Sequence, residues 1–210
     1  MPAATSSVTS GIKGYDMRCA TVTGTAMGEA AAGEREAWLV DRARRGDANA
    51  FEALLRRHRT GVLNLAWRIV GDPDAAQDVA QEALLSAWRQ LPRFRRGAAF
   101  GTWLYRITVN AARGHLRSHS RRQARDDRYG GLTGSAAPTR DPEPDPGGPV
   151  TALLMQLPEK QRVALALFYV QDLSLEEIAR AAGAPVGTVK AWLSRGRARL
   201  REMAEDGGLL

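Results

Sequence analysis

Cysteine is all but missing: Cys19 is the only one in 210 residues. An intrachain disulfide framework, a CxxC redox pair and a multi-cysteine zinc site are thereby excluded, and Cys19 is read as a passive thiol in a loose tail. Lysine is scarce too. Only Lys13, Lys160 and Lys190 are lysine among the 30 Lys and Arg, so the formal net charge of +7 is carried by guanidinium groups, which fork onto phosphates and guanine edges as an ammonium does not. A polyanionic partner is the first expectation. No run of 18 apolar residues exists, and the first 30 residues lack the apolar stretch of a signal peptide, so the chain is expected in the cytoplasm, without membrane insertion. Also absent are a GxxxxGK[ST] phosphate loop, a dinucleotide glycine fingerprint after a strand, and a GxSxG elbow. No cofactor is expected, and enzymatic chemistry has nothing to rest on.

What is present is a globular composition, 44% hydrophobic and 25% charged, with length for one ordinary domain or two small ones. Residues 1–33 are rich in Ala, Gly, Ser and Thr without large apolar periodicity, so a disordered tail is expected there; Met17 and Met27 are alternative starts. A second break gathers Pro138, Pro142, Pro144, Pro146 and Pro149 among five glycines. This stretch, residues 129–149, reads as a linker that spans at most about 60 to 65 Å in polyproline II form. Two helical domains result, 34–128 and 150–210, with no strand-like alternation or internal repeat. The fold class is all-α.

In the first domain a short helix is expected around Trp38, Leu39 and Ala43. Asn49 and Glu52 have capping-box spacing ahead of a stripe of Phe51, Leu54, Leu55, Val62, Leu65 and Ile69, which marks a long helix buried on one side. The next opens with Asp72 as N-cap and Pro73 at the first position. Its apolar side is Val79, Ala83, Leu84, Ala87, Trp88 and Leu91, and its other side carries Asp74, Asp78 and Glu82 at i, i+4 and i+8, with Gln77 and Gln81 beside them. A fourth helix is expected from about Ala99 to His119. In the second domain two helices break at Pro158. Ser174 to Glu177 is a capping box, Gly183-Ala184-Pro185 a turn, and Val186, Val189, Leu193 and Leu200 the inward side of a following helix, which together make a helix-turn-helix. Its outward positions Thr188, Lys190, Ala191, Ser194, Arg195, Arg197 and Arg201 suit a major groove and its flanking phosphates.

Between Arg93 and Arg128 ten arginines face only Asp126 and Asp127. A solvated face would mix signs, whereas a one-sign stretch interleaved with Phe94, Phe100, Trp103 and Tyr105 combines phosphate tracking with rings on which unpaired bases stack. Phe100 and Trp103 have an equally good reading as core aromatics. His115 and His119, four apart on a helix, could face one metal ion; the HExxH pattern is absent and the surroundings are cationic, so no metal site is expected.

These residues carry a resemblance. The run from Phe94 through Arg95, Arg96, Gly97, Phe100, Gly101, Thr102, Trp103, Leu104, Tyr105 and Arg106 to Asn110 resembles regions 2.3 and 2.4 of extracytoplasmic-function (ECF, group 4) sigma factors of the sigma-70 family. Asp72 to Glu82 resembles their region 2.2, and Leu157 to Arg162, Leu173 to Ala179 and Gly187 to Lys190 resemble their region 4. The likeness covers residues 35–205 apart from the linker. It implies a promoter-recognition subunit of bacterial RNA polymerase with a sigma-2 and a sigma-4 domain. It further implies that Asp74, Gln77, Asp78, Gln81 and Glu82 dock on the clamp helices of core polymerase, and that the sigma-4 domain meets the flap. Phe94, Arg95, Arg96, Phe100, Trp103, Arg106, Asn110, Arg113 and Arg117 would serve minus-10 recognition and melting; Thr188, Lys190, Ala191, Ser194, Arg195 and Arg197 would read minus-35. An anti-sigma factor is a family expectation as well. The chain departs from the family at Ala191-Trp192, where Ser-Arg is common, so Trp192 has three readings: packing on the core, touching a thymine methyl, or covering the flap.

Two rivals remain at this point. A helix-turn-helix regulator working without polymerase leaves the acidic stripe and the Phe94 to Trp103 segment unexplained. A metal-dependent nuclease built on His115 and His119 lacks a carboxylate cluster.

Overall fold

The computed structural model describes residues 25–95, 97–129 and 148–206, and all regular structure among them is helical. The chain divides into two units, Met1–Ala37 and Trp38–Leu210. The described part of the first unit is the beginning of α1, which runs Thr25–Arg44. Residues 25–33, expected in the structureless tail, are therefore helical. Ala26, Ala30, Ala31 and Ala32 favour a helix by intrinsic propensity, a contribution that leaves no apolar periodicity to read.

In the second unit, α1 stops at Gly46, which takes φ 94°, and α2 (Ala48–Val70) starts at once. Its N-cap is Asp47, whose carboxylate accepts from the Ala50 amide at 3.1 Å and pairs with Arg42. The Asn49 to Glu52 box is not formed, because Asp47 comes first after the turn and leaves Asn49 inside the helix. Gly71 closes α2 in the left-handed region at φ 81°, its N–H donating to the Trp67 carbonyl at 2.7 Å. Asp72 then caps α3 (Pro73–Gln90), accepting from the Ala75 amide at 2.7 Å as expected. A 3-10 turn at Leu91–Arg93 leads to α4, Phe100–Tyr129, whose 30 residues exceed the expected end at His119. Its last turns hold Arg, Gln and Ala, good helix formers, with neither glycine nor proline before Gly130.

Helices α2, α3 and α4 pack on one another, burying Leu54, Val62, Leu65 and Ile69 of α2, Val79, Ala83 and Ala87 of α3, and Leu104, Ile107 and Val109 of α4. Each such large apolar side chain contributes about 1.5 to 3 kcal/mol. Trp88, expected inward, is 37% exposed and rests its ring on Phe51 at 4.8 Å. The C-terminal half comprises α5 (Gly148–Met155), α6 (Glu159–Tyr169), α7 (Leu175–Ala182) and α8 (Val186–Asp206). The Ser174 and Glu177 capping box is formed in both directions, and Gly183 ends α7 at φ 68°. Val163, Leu165, Leu167, Ile178, Val189 and Leu193 fill this half. The expected linker lies for the most part outside the described residues. The helices on its two sides touch directly, α4 with α7 and α2 with both α5 and α6.

Candidate nucleic-acid and polymerase interfaces

Four surfaces hold the residues singled out from the sequence. On α4, Arg106, Asn110 and Arg117 are exposed along one stripe, and Arg121, Arg122 and Arg125 continue it. Arg113, on the same stripe, is turned inward: its Nε donates to Glu159 Oε1 at 2.8 Å and its Nη1 to the Ala182 carbonyl at 3.2 Å. His115 and His119 stack at 6.5 Å, and no group of three His, Cys, Asp or Glu able to hold a metal occurs among the described residues.

At the start of α4 the aromatics form one cluster. Phe94 lies 4.9 Å from Trp103 and 6.1 Å from Phe100, Phe100 lies 5.5 Å from Trp103, and His58 closes the far side 5.4 Å from Phe100. Phe94 and Phe100 are buried at 5% and 3% exposure, so both are core residues of this half. Trp103 is half-buried at the rim, Arg95 is exposed, and Arg96 lies outside the described residues.

On the helix-turn-helix, Lys190, Ser194, Arg195, Arg197 and Arg201 are exposed and Thr188 and Ala191 half-buried. Arg197 is drawn to one side, its guanidinium 5.0 Å over the Phe168 ring and 5.6 Å over Tyr169. Trp192 is partly buried against the core. The nearby Arg162 is a buried cation: it donates to the Met155 carbonyl at 3.2 Å, and burial lowers its pKa.

On α3, Asp74, Gln77, Asp78, Gln81 and Glu82 are all exposed, with Glu82 accepting from Arg89 at 2.8 Å. Beside them runs a groove of about 700 Å³ between α2 and α3, floored by Phe51, Leu55, Leu84, Leu85 and Trp88. Leu85 is 52% exposed. The sequence reading overlooked Leu55, Leu85 and Trp88 as surface residues, since helical periodicity assigns such positions to the core. Leu84 and Leu85 are consecutive, however, so they point about 100° apart around α3, and with only one side of α3 packed on the bundle Leu84 is partly buried and Leu85 exposed.

The residues just described match known families. The Sigma-70 region 2 family model matches residues 54–122 and the Sigma-70 region 4 model residues 148–200. The RNA polymerase sigma-H factor of Pseudomonas aeruginosa is 38% identical over 175 residues, covering 78% of this chain and 91% of the relative. The chain is an ECF sigma factor of the sigma-70 family. The ECF sigma-E factor of Escherichia coli is 35% identical over 171 residues, 76% of this chain and 88% of the relative. Among solved structures, the sigma factor RpoE in complex with the anti-sigma factor NepR from Bartonella quintana is 25% identical with TM-score 0.62, covering 74% of this sigma factor and 96% of that chain. CnrH in complex with the cytosolic domain of CnrY shares the fold at TM-score 0.63 and 23% identity, covering 82% of this chain and 98% of that one. As a sigma factor, the protein functions in transcription initiation by RNA polymerase. No helix among its described residues is long and apolar enough to cross a membrane.

Proposed function

We propose that this sigma factor works from the cytoplasm as a two-part promoter reader, residues 34–128 serving minus-10 and core polymerase and 150–210 serving minus-35, with 129–149 as the tether. The observation that carries it is the segregation of charge: an exposed acidic stripe on α3 and an exposed arginine stripe on α4 of one small bundle. A duplex repels the first and attracts the second, so the two stripes serve different partners. Asp74, Gln77, Asp78, Gln81 and Glu82 dock on polymerase, and the adjoining groove with Leu85 and Trp88 receives an apolar side chain from the same partner. This adds an anchor that carboxylates at a rim do not provide.

Arg106, Asn110 and Arg117 track the duplex and its melted edge. Trp103 is the ring that an unpaired base meets; Phe94 and Phe100 lie beneath it and fix its plane. That is a revision of their assignment as stacking residues, because buried rings offer no face to a base. On α8, Lys190, Ser194 and Arg195 face the minus-35 groove, while Arg197 braces Phe168 and Tyr169. No bond is made or broken by the chain itself. An anti-sigma factor is a partner of the kind that the RpoE relative has in its complex with NepR.

The test is run-off transcription with purified core polymerase and an Asp78→Lys, Glu82→Lys variant. Exposed charges contribute little to stability, so circular dichroism is expected to match the wild type while core binding and transcripts are lost. Retained affinity for core would remove the docking assignment.

A further inference from the structure

Two guanidinium groups line a cavity whose walls include no carboxylate. The cavity, of about 410 Å³, lies among α2, α5, α6 and α8; Leu154, Leu165, Ala166, Val170 and Leu200 form its apolar walls, and Arg68, Arg197 and Tyr169 complete the lining. Its volume is that of a site for a small organic molecule. The apolar walls belong to the packed interior, since Leu154, Leu165 and Ala166 are buried. Gly196 sets α8 close against α6 there, as a Cβ on it would meet Leu165 Cδ1 at 2.8 Å.

Both cations keep donors unspent. Arg68, in the last turn of α2, is half-buried; its Nη1 donates to the Thr151 hydroxyl at 3.3 Å, while its buried Nε has no hydrogen-bond partner. A guanidinium carries five donors, and a buried donor left unmet is destabilising. Arg197 reaches the cavity from α8, its guanidinium 5.0 Å over the Phe168 ring and 5.6 Å over Tyr169. Stacking uses the flat face of a guanidinium and leaves the N–H groups at its edge for an oxygen ligand. Two like charges on one apolar cavity repel each other, and an anion held there compensates both.

We infer that this cavity binds a small organic acid with an apolar body, its carboxylate forking onto Arg68 and Arg197 and its hydrocarbon part lying on Leu154, Leu165, Ala166, Val170 and Leu200. A bare inorganic anion fits the cations but leaves the apolar walls uncovered, and a neutral hydrocarbon covers the walls but leaves the cations without a counter-charge. A duplex phosphate brings no apolar body. The site is separate from the α4 stripe, from the α3 acids with their groove, and from Lys190, Ser194 and Arg195, so it stands independently of the promoter-reading assignment.

The test titrates the full chain, labelled at its alanine, leucine and valine methyl groups for NMR, with decanoate and with naphthoate. Saturable shifts are expected at the methyls of Leu154, Leu165, Ala166, Val170 and Leu200 and not at Leu55, Leu84 or Leu85 of the other groove; which acid saturates first tells whether the body is a chain or a ring. By calorimetry the matching alcohol should bind about tenfold or more weakly than the acid, and Arg197→Gln and Arg68→Gln should each lower affinity for the acid by a similar factor. Arg197 is exposed, so its variant decides the matter if the Arg68 variant folds poorly. No saturation by either acid at millimolar concentration, equal affinity for acid and alcohol, unchanged affinity in Arg197→Gln, or shifts confined to the other groove would each overturn the site. Inorganic phosphate binding as tightly as the acids would overturn the apolar-bodied ligand. A short peptide of leucine and glutamate that shifts the same methyls at lower concentration than either acid would overturn the small molecule in favour of a protein chain.

Discussion

Gly114 and Gly196 both lie inside long helices, yet a methyl group added to each meets opposite surroundings. At Gly196, which is buried, a Cβ would sit 2.8 Å from Leu165 Cδ1 and 3.4 Å from Gln161 Cβ. Helices α6 and α8 approach closely there, and overpacking costs about 1 to 3 kcal/mol. Around Gly114 nothing lies within 4 Å, so Gly114→Ala should gain about 0.5 to 1 kcal/mol from helix propensity. Chemical denaturation of the two single variants is expected to give shifts of opposite sign. A gain at Gly196 would mean that α6 and α8 part without penalty. Phe94 belongs to the same scale. Because it is buried, Phe94→Ala should cost about 3 to 5 kcal/mol by cavity formation, whereas Trp103→Ala at the rim is the variant that reports on melting. In holoenzyme it should leave closed-complex affinity nearly intact and reduce permanganate reactivity of unpaired thymines at matched occupancy. Wild-type reactivity in a folded Trp103→Ala holoenzyme would withdraw Trp103 from the melted strand.

Among the elements, α7 depends most on its ends, having only eight residues, too few to persist by propensity alone. Glu177 meets opposing influences. Burial pushes its pKa up, but the Ser174 amide and hydroxyl, the Thr102 hydroxyl and the charge of Arg180 outweigh this and hold it below the ordinary glutamate value of 4.5. A carboxyl depressed in the folded state contributes stability that is present above its unfolded pKa and lost as pH falls through the folded one. The contribution of Glu177 to the helix-turn-helix should accordingly be present in full from neutrality down to about pH 5 and be lost in the acid range below. Glu177→Gln should flatten that acid limb, and Ser174→Ala should cost about 1 kcal/mol at neutral pH. Thermal melts across pH 3 to 7 are the measurement; an acid limb of wild-type slope in Glu177→Gln would place the titration elsewhere.

For the whole molecule, arginine is exposed both along α4 and along α8, and on the proposed reading these two sets govern the response to salt and to substitution. Arg195 and Arg201 are both exposed on α8, but they sit nearly two turns apart, with Arg195 closer to the N-terminal end of α8 that the proposed reading sets in the groove. In holoenzyme, Arg195→Ala should change base preference at minus-35 by about 1 to 3 kcal/mol, and Arg201→Ala should weaken all sequences alike and reduce the salt slope by about one. Equal loss on every sequence for both substitutions would remove Arg195 from a base edge.

Local signals were legible from the chain because they act within a few residues. Asp72 with Pro73, the Ser174 and Glu177 box and Gly183 each satisfy orphan backbone groups of their own helix; all three ends formed as read. The α3 acid stripe and the helix-turn-helix followed from the 3.6-residue period, which fixes which side chains share a face. Asn49 failed as a cap because Asp47 offered the same carbonyl chemistry two residues earlier, a competition that sequence alone does not rank. The burial of Phe94 and Phe100, the exposure of Trp88 and Leu85 over the groove, and the drawing of Arg113 onto Glu159 and Ala182 and of Arg197 onto Phe168 and Tyr169 were decided only by tertiary structure. The bonds between the two halves join residues 46 to 110 positions apart, through side chains whose types are equally at home on a solvated surface. Sequence therefore set the helices and the charge each face carries, and packing between distant helices set which of those charges are free to act.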